Sequence, residues 1–112
     1  MKKKIDPRLV GVWQGINEYP FLVNEISRWT TFRKADGTFY VSFASVFFDG
    51  MVEKFVRQGV WFTEGNLYYE EQETEDGTEI TCLGYRVLSE NKIQFKERFV
   101  KYDFIDTKIR LH

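Results

Sequence analysis

The sequence predicts an all-β chain: eight antiparallel strands in an up-and-down meander that closes into a small barrel. Three observations carry this expectation. Two-residue turn signals recur at Asp36-Gly37, Asp49-Gly50, Glu64-Gly65 and Asp76-Gly77, with a weaker one at Glu90-Asn91. Asp-Gly favours the positive φ of tight hairpin turns, whose twist matches that of the strands they join. The runs between the signals are of strand length and rich in Phe, Tyr, Val, Thr and Trp. Pairing residues across the turns then gathers a continuous apolar face, and a sheet so two-sided leaves exposed edges unless it closes on itself.

Taken in order, the segment from Ile5 to Leu9 can form one helical turn, with Asp6 as N-cap and Pro7 at the first position. Residues 9–16 read as the first strand and carry Gly11-Val12-Trp13. Residues 17–24 read as a connection, because Pro20 cannot sit in a central strand. That connection holds Tyr19, Phe21, Leu22 and Val23, which should pack on something, as a lid over one barrel end would. Further strands are expected at 25–34, 38–48, 51–63, 66–75, 78–89, 92–101 and 103–111. Nothing divides the chain, so residues 1–112 are expected to form a single domain.

Composition excludes several classes. At 112 residues, with 43% hydrophobic and 18% aromatic side chains, the chain has the apolar surface that disordered segments lack. A net charge of −1 argues against nucleic acid or an anionic membrane as partner. The one Cys (Cys82) and one His (His112) leave no disulfide, no thiolate-rich metal site and no imidazole catalysis to expect. No metal and no cofactor are therefore expected. No apolar run approaches the ~20 residues of a membrane helix. Lys2-Lys3-Lys4 is followed by Asp6-Pro7-Arg8 rather than an apolar segment, so no signal peptide is read and the expected location is cytoplasmic.

In a two-residue hairpin the flanking residues pair, and paired side chains share a face. Stepping from turn to turn puts Arg28, Thr30 and Phe32 with Phe39, Val41, Phe43 and Ser45. The same face continues through Lys54, Val56, Gln58, Val60 and Phe62, then Leu67, Tyr69 and Glu71, then Cys82, Arg86 and Leu88, and ends on Ile93, Phe95 and Glu97. Strand 92–98 says which side is interior: its other side is Lys92, Gln94, Lys96 and Arg98. In the last strand Ile105, Ile109 and Leu111 are expected to point inward. The opposite, outer face collects Trp29, Tyr40, Phe48, Met51, Phe55, Trp61, Tyr68, Leu83 and Tyr85.

A buried charge must be paired, so Arg28, Gln58, Glu71, Arg86 and Glu97 on the inner face form either a satisfied ion-pair network or a pocket. As a pocket they would anchor the polar end of a ligand while Phe43, Tyr69 and Phe95 hold its apolar body. The leading expectation is non-enzymatic binding of a small, largely apolar ligand with a polar end. The runner-up is a structural or regulatory module acting as a homodimer through Trp29, Tyr40, Phe55, Trp61 and Tyr68, residue types that interfaces favour. Glu71 and Glu97 could form an acid/base pair, but no nucleophile, metal set or phosphate loop accompanies them, so the sequence weighs against an enzyme. Cys82 reads as an inert core thiol. Basic residues lie diluted among acidic ones, which disfavours nucleic acid stacked on the aromatics.

The opening stretch Leu9-Val10-Gly11-Val12-Trp13-Gln14-Gly15 resembles the G-x-W signature of the lipocalin/calycin superfamily, and the hairpins and strand count are similar to small bacterial lipocalin-like domains. The resemblance implies that Gly11 and Trp13 are the signature pair of the first strand, with Trp13 plugging one barrel end. It also implies a basic residue from the last strand over that Trp, for which Arg110 is the nearest candidate. The T-D-Y motif, disulfides and C-terminal helix of secreted members have no counterpart in this sequence.

Overall fold

A computed structural model describes residues 3–19, 25–47, 49–98 and 103–109, the side chains of 17–19 and 25 excepted. Phe48, Phe99, Arg110, Leu111, His112 and the apolar connection 20–24 lie outside the described residues. A short 3-10 turn, Pro7–Leu9, is capped by Asp6, whose side chain accepts from the Arg8 N–H. Eight strands follow: β1 Gly11–Tyr19, β2 Glu25–Arg33, β3 Thr38–Phe47, β4 Val52–Glu64, β5 Leu67–Thr74, β6 Gly77–Ser89, β7 Lys92–Lys96 and β8 Asp103–Lys108. Each pairs antiparallel with the next, and β8 pairs with β1, which makes a closed up-and-down barrel. Residues 17–19, expected in a connection, instead extend β1 and pair with the start of β2.

The turns lie close to where they were expected, but two of them are one residue longer. Lys34 and Thr38 face each other, the Lys34 N–H donating to the Thr38 carbonyl at 2.9 Å, and Gly37 takes φ +88°. Phe47 and Met51 do the same at 2.9 Å, with Gly50 at φ +87°. Both are three-residue loops ending on a left-handed glycine, the other common hairpin geometry for Asp-Gly. Each adds one residue and so reverses the face of the neighbouring strand relative to a two-residue turn. The remaining loops are two-residue: Gly65-Asn66, Glu75-Asp76 and Glu90-Asn91. A register shift between Val87 and Ser89, the signature of a β-bulge, then slips β6 against β7 by one more residue.

These slips correct the expected faces. The interior of β3 and β7 is as read, with Phe39, Val41 and Phe95 buried. In β2, β4, β5 and β6 the faces are exchanged. Ile26, Phe32, Val52, Val56, Val60, Ile80 and Leu88 stand exposed on the outside, while Trp61, Tyr68 and Leu83 are buried inside. In β8 the interior takes Asp106 and the partly buried Phe104 in place of Ile105, which is 45% exposed.

The N-terminal segment closes one end of this barrel. Lys4 bridges to Thr63 through backbone bonds of 2.8 and 2.7 Å, which lays the segment along the end of β4. Leu9 and Trp13 are fully buried there, and the Trp13 indole donates to the Leu9 carbonyl at 2.9 Å. Trp61 donates to the Lys34 carbonyl at 3.0 Å, tying β4 to the first long loop. Burying an aromatic side chain of this size stabilises by roughly 1.5–3 kcal/mol, so the two Trp residues make this end the firm one. Asp6 secures the arm further, accepting from Arg8 and from the Tyr85 hydroxyl at 2.8 Å. The hydrogen bond from Arg8 is the main reason its carboxyl lies below the ordinary value.

Candidate functional site

Above the plugged end the barrel is hollow. A cavity of about 450 Å³ is bounded by inward side chains of β2 to β8, within the range of small-molecule sites. Its apolar wall is aromatic. Phe43 stacks on Phe55 at 4.6 Å between centroids, Trp29 meets Phe104 edge-on at 5.2 Å, and Phe104 stacks on Phe95 at 5.3 Å. Phe55 lines the cavity yet is 51% exposed, and Glu53 and Glu97 beside it are exposed as well. The mouth therefore lies at the end opposite the Trp13 plug.

The floor is polar and charged. Arg33, 4% exposed, donates from Nε to the Tyr68 hydroxyl at 2.9 Å and reaches Asp106 from Nη2 at 3.6 Å. The Tyr68 hydroxyl in turn donates to Glu70 at 2.5 Å, and Arg57 donates to the other Glu70 oxygen at 2.7 Å. Asp106, 1% exposed, also accepts from the Trp29 indole at 2.8 Å. The guanidinium of Arg33 lies 4.8 Å from the Tyr68 ring centroid and 5.2 Å from that of Phe95, a favourable place for a cation. Two buried nitrogens in this cluster, Arg33 Nη1 and Arg57 Nε, have no partner among the described residues.

The electrostatics follow from burial and partners. Burial lowers the Arg33 guanidinium, but Tyr68, Asp106 and Glu70 together outweigh it, so Arg33 stays charged. Burial is the main cause that lifts the Tyr68 phenol well above its usual 10, which keeps it a neutral donor to Glu70. Asp106 is lifted too. Burial acts on it more strongly than the contact with Arg33, which at 3.6 Å is long for an ion pair, and more strongly than the Trp29 bond. The pair is thus uneven: a firmly charged guanidinium beside a weakened acid.

Of the residues singled out from the sequence, Phe43, Phe95 and Glu97 line the cavity. Arg28, Gln58, Tyr69, Glu71 and Arg86 pair across the sheet on its outer side, a correction that follows from the loop lengths. There Tyr69 stacks on Phe62 at 4.9 Å, and Lys3 comes within 3.9 Å of Glu71. Glu71 and Glu97 consequently lie on opposite sides of the wall. Cys82 is also outside, a half-buried thiol that accepts from Arg98 at 3.7 Å rather than a core group. Of the five residues expected to build an outer interface, Trp29, Phe55, Trp61 and Tyr68 turn inward, and Tyr40 remains outside, 40% exposed.

Gly11 and Trp13 do sit together at the start of β1. The cation over Trp13 is Lys108, its ammonium 5.6 Å from the ring centroid. Arg110, the residue expected there, is outside the described residues. Lys108 also approaches Gly11, where a Cβ would lie 2.9 Å from its Cε. Arg33, Arg57, Glu70 and Asp106 were the residues missed. Their signal was indirect: the face first assigned to solvent carried Trp29, Trp61 and Tyr68, and residues of that size are rarely left to water in such numbers.

Among the described residues no group of His, Cys, Asp and Glu could hold a metal ion, and no helix is long and apolar enough to cross a membrane. No protein-family model matches the sequence, and no curated protein matches it either.

Proposed function

We propose that the barrel binds a small, largely apolar molecule with a polar end in its interior and does no chemistry on it. The observation that carries this reading is the two-part cavity: an aromatic wall at the open end and a buried charged floor with two guanidinium nitrogens that have no partner among the described residues. Binding sites for small molecules pair an apolar lining with a few fixed polar groups in this way. The Gly11-Val12-Trp13 stretch, with Trp13 at the closed end beneath Lys108, supports kinship with lipocalin-like domains. The carboxylates of the floor are held by Arg33, Arg57, Tyr68 and Trp29. That arrangement suits a fixed recognition surface better than a general acid or base.

The test is a titration with the neutral apolar dye N-phenyl-1-naphthylamine, read by its fluorescence gain and by quenching of Trp29. Native mass spectrometry of freshly purified protein looks for retained ligand alongside. The wild type is expected to bind one dye per chain, and Thr81→Phe, which puts a ring into the cavity, to lose it. Dye binding that survives Thr81→Phe, or no binding by the wild type, would sink the reading.

A further inference from the structure

We propose that the polar end of the ligand is an uncharged hydrogen-bond acceptor, such as an amide or ketone oxygen, received by the Arg33 and Arg57 guanidinium groups. A carboxylate or phosphate is thereby excluded. The inference rests on the binding reading above and narrows it to a ligand class. Two independent features of the cavity carry it.

The first is the kind of bonding capacity left over. Among the described residues, the buried polar atoms of the wall without a partner are Arg33 Nη1 and Arg57 Nε. Both are N–H groups that can only donate. Each carboxyl of the floor already has a protein donor: Glu70 takes Tyr68 at 2.5 Å and Arg57 at 2.7 Å, and Asp106 takes Trp29 at 2.8 Å. A ligand that completes this site brings an acceptor atom. A ligand that brings only donors leaves both guanidinium nitrogens unsatisfied, and an unmet buried donor costs about 1–3 kcal/mol.

The second is charge. Arg33 and Arg57 face Glu70 and Asp106 in one contact network, so each guanidinium already has a carboxyl beside it. Glu53 and Glu97 at the mouth add only negative charge. An incoming anion would have to pass those two carboxylates and then compete with Glu70 for Arg57 across a 2.7 Å bond. Desolvating an ion without a free counter-charge is strongly unfavourable. A neutral oxygen meets neither obstacle and still gains charge-assisted bonds from the two guanidinium groups.

A matched pair tests this: 4-phenylbutanamide and 4-phenylbutanoate, equal in shape and differing in head-group charge, each competed against the naphthylamine dye. The amide is expected to displace the dye at a concentration at least about tenfold lower than the carboxylate. In Asp106→Asn, which removes one negative charge while keeping an acceptor for Trp29, that gap is expected to narrow through stronger carboxylate binding. Circular dichroism checks that the variant keeps the barrel. A carboxylate that competes as well as the amide in the wild type overturns the inference and leaves the binding reading standing. A protein that binds dye but releases it to neither compound overturns the inference too. Failure to bind the dye itself overturns the reading beneath it.

Discussion

Trp29 on β2 donates its indole N–H to Asp106 on β8 across 2.8 Å of the barrel interior. The bond joins strands that are not neighbours in the sheet, so it braces the hollow part of the barrel as well as satisfying a buried acid. Trp29→Phe keeps an aromatic ring of similar position and deletes the donor. A loss of about 1–3 kcal/mol is expected, since a buried acceptor is left short of a partner. Urea unfolding of the two proteins measures it, and an unchanged midpoint would show that the indole bond does not brace the barrel.

Removing the cation of the floor should cost more. Arg33→Met leaves Asp106 without its guanidinium and Tyr68 without a donor. Breaking a buried pair from one side costs about 3–5 kcal/mol. The double variant Arg33→Met/Asp106→Asn is expected to regain part of that loss, because the orphaned charge is gone. A double variant no more stable than Arg33→Met would show that the two groups are not coupled.

Asp106 should also leave a mark on the pH dependence of stability. Its carboxyl is raised above the ordinary 3.8, chiefly by burial. The folded protein then holds that proton more tightly than the unfolded chain does, so stability falls as pH rises from about 3.8 through the folded pKa. Relative to Asp106→Asn, the wild type is expected to lose stability as pH rises above the ordinary carboxyl value and through the raised one. Asp6 acts in the opposite sense. Its carboxyl is lowered, first by Arg8, so its contribution is present above the ordinary carboxyl range and fades as pH falls through the lowered value. Denaturant melts of wild type, Asp106→Asn and Asp6→Asn on both sides of the ordinary carboxyl value separate the two, Asp6 showing below it and Asp106 above it, and a flat wild-type-minus-Asp106→Asn difference would contradict the raised carboxyl.

Gly15 on β1 pairs with Trp29 on β2, and a Cβ at that position would overlap the indole ring. Gly15→Ala must push Trp29 away and with it the bond to Asp106. Overpacking of this kind costs about 1–3 kcal/mol. Dye affinity is expected to fall with stability, because Trp29 is part of the cavity wall. Unaltered stability and dye binding would mean that the ring has room to move.

At the closed end, Lys108→Met removes the ammonium over Trp13 but keeps a chain of similar length. About 0.5–1 kcal/mol is expected to be lost, with a change in Trp13 fluorescence. Dye binding should hold, since Lys108 does not line the cavity. Loss of binding at full stability would place Lys108 in the site.

The strand order, the strand count, the cap at Asp6 and the closure into a barrel were legible in the chain because they depend on local turn chemistry and on apolar content. Sidedness was not, because it depends on counting. Asp36-Gly37 and Asp49-Gly50 are compatible with loops of two or three residues, and Gly37 and Gly50 adopt the three-residue form. The second of these exchanged the faces of β4, β5 and β6, and the irregularity between Val87 and Ser89 exchanged them back before β7. Phe43 and Phe95 therefore lie on the expected side of the sheet while Glu71 and Arg86 between them do not. Composition held the missing clue, since the inverted reading put Lys54, Glu71 and Arg86 inside and two tryptophans outside.

The three-residue hairpin at Gly50 has an evolutionary consequence as well. Loops are usually the segments that absorb insertions and deletions, yet here a single-codon deletion between Phe47 and Met51 would turn strands inside out until the next irregularity downstream. Homologous chains should vary freely in the letters of this hairpin and hardly at all in its length. A length variant there should appear only alongside a compensating change near Val87.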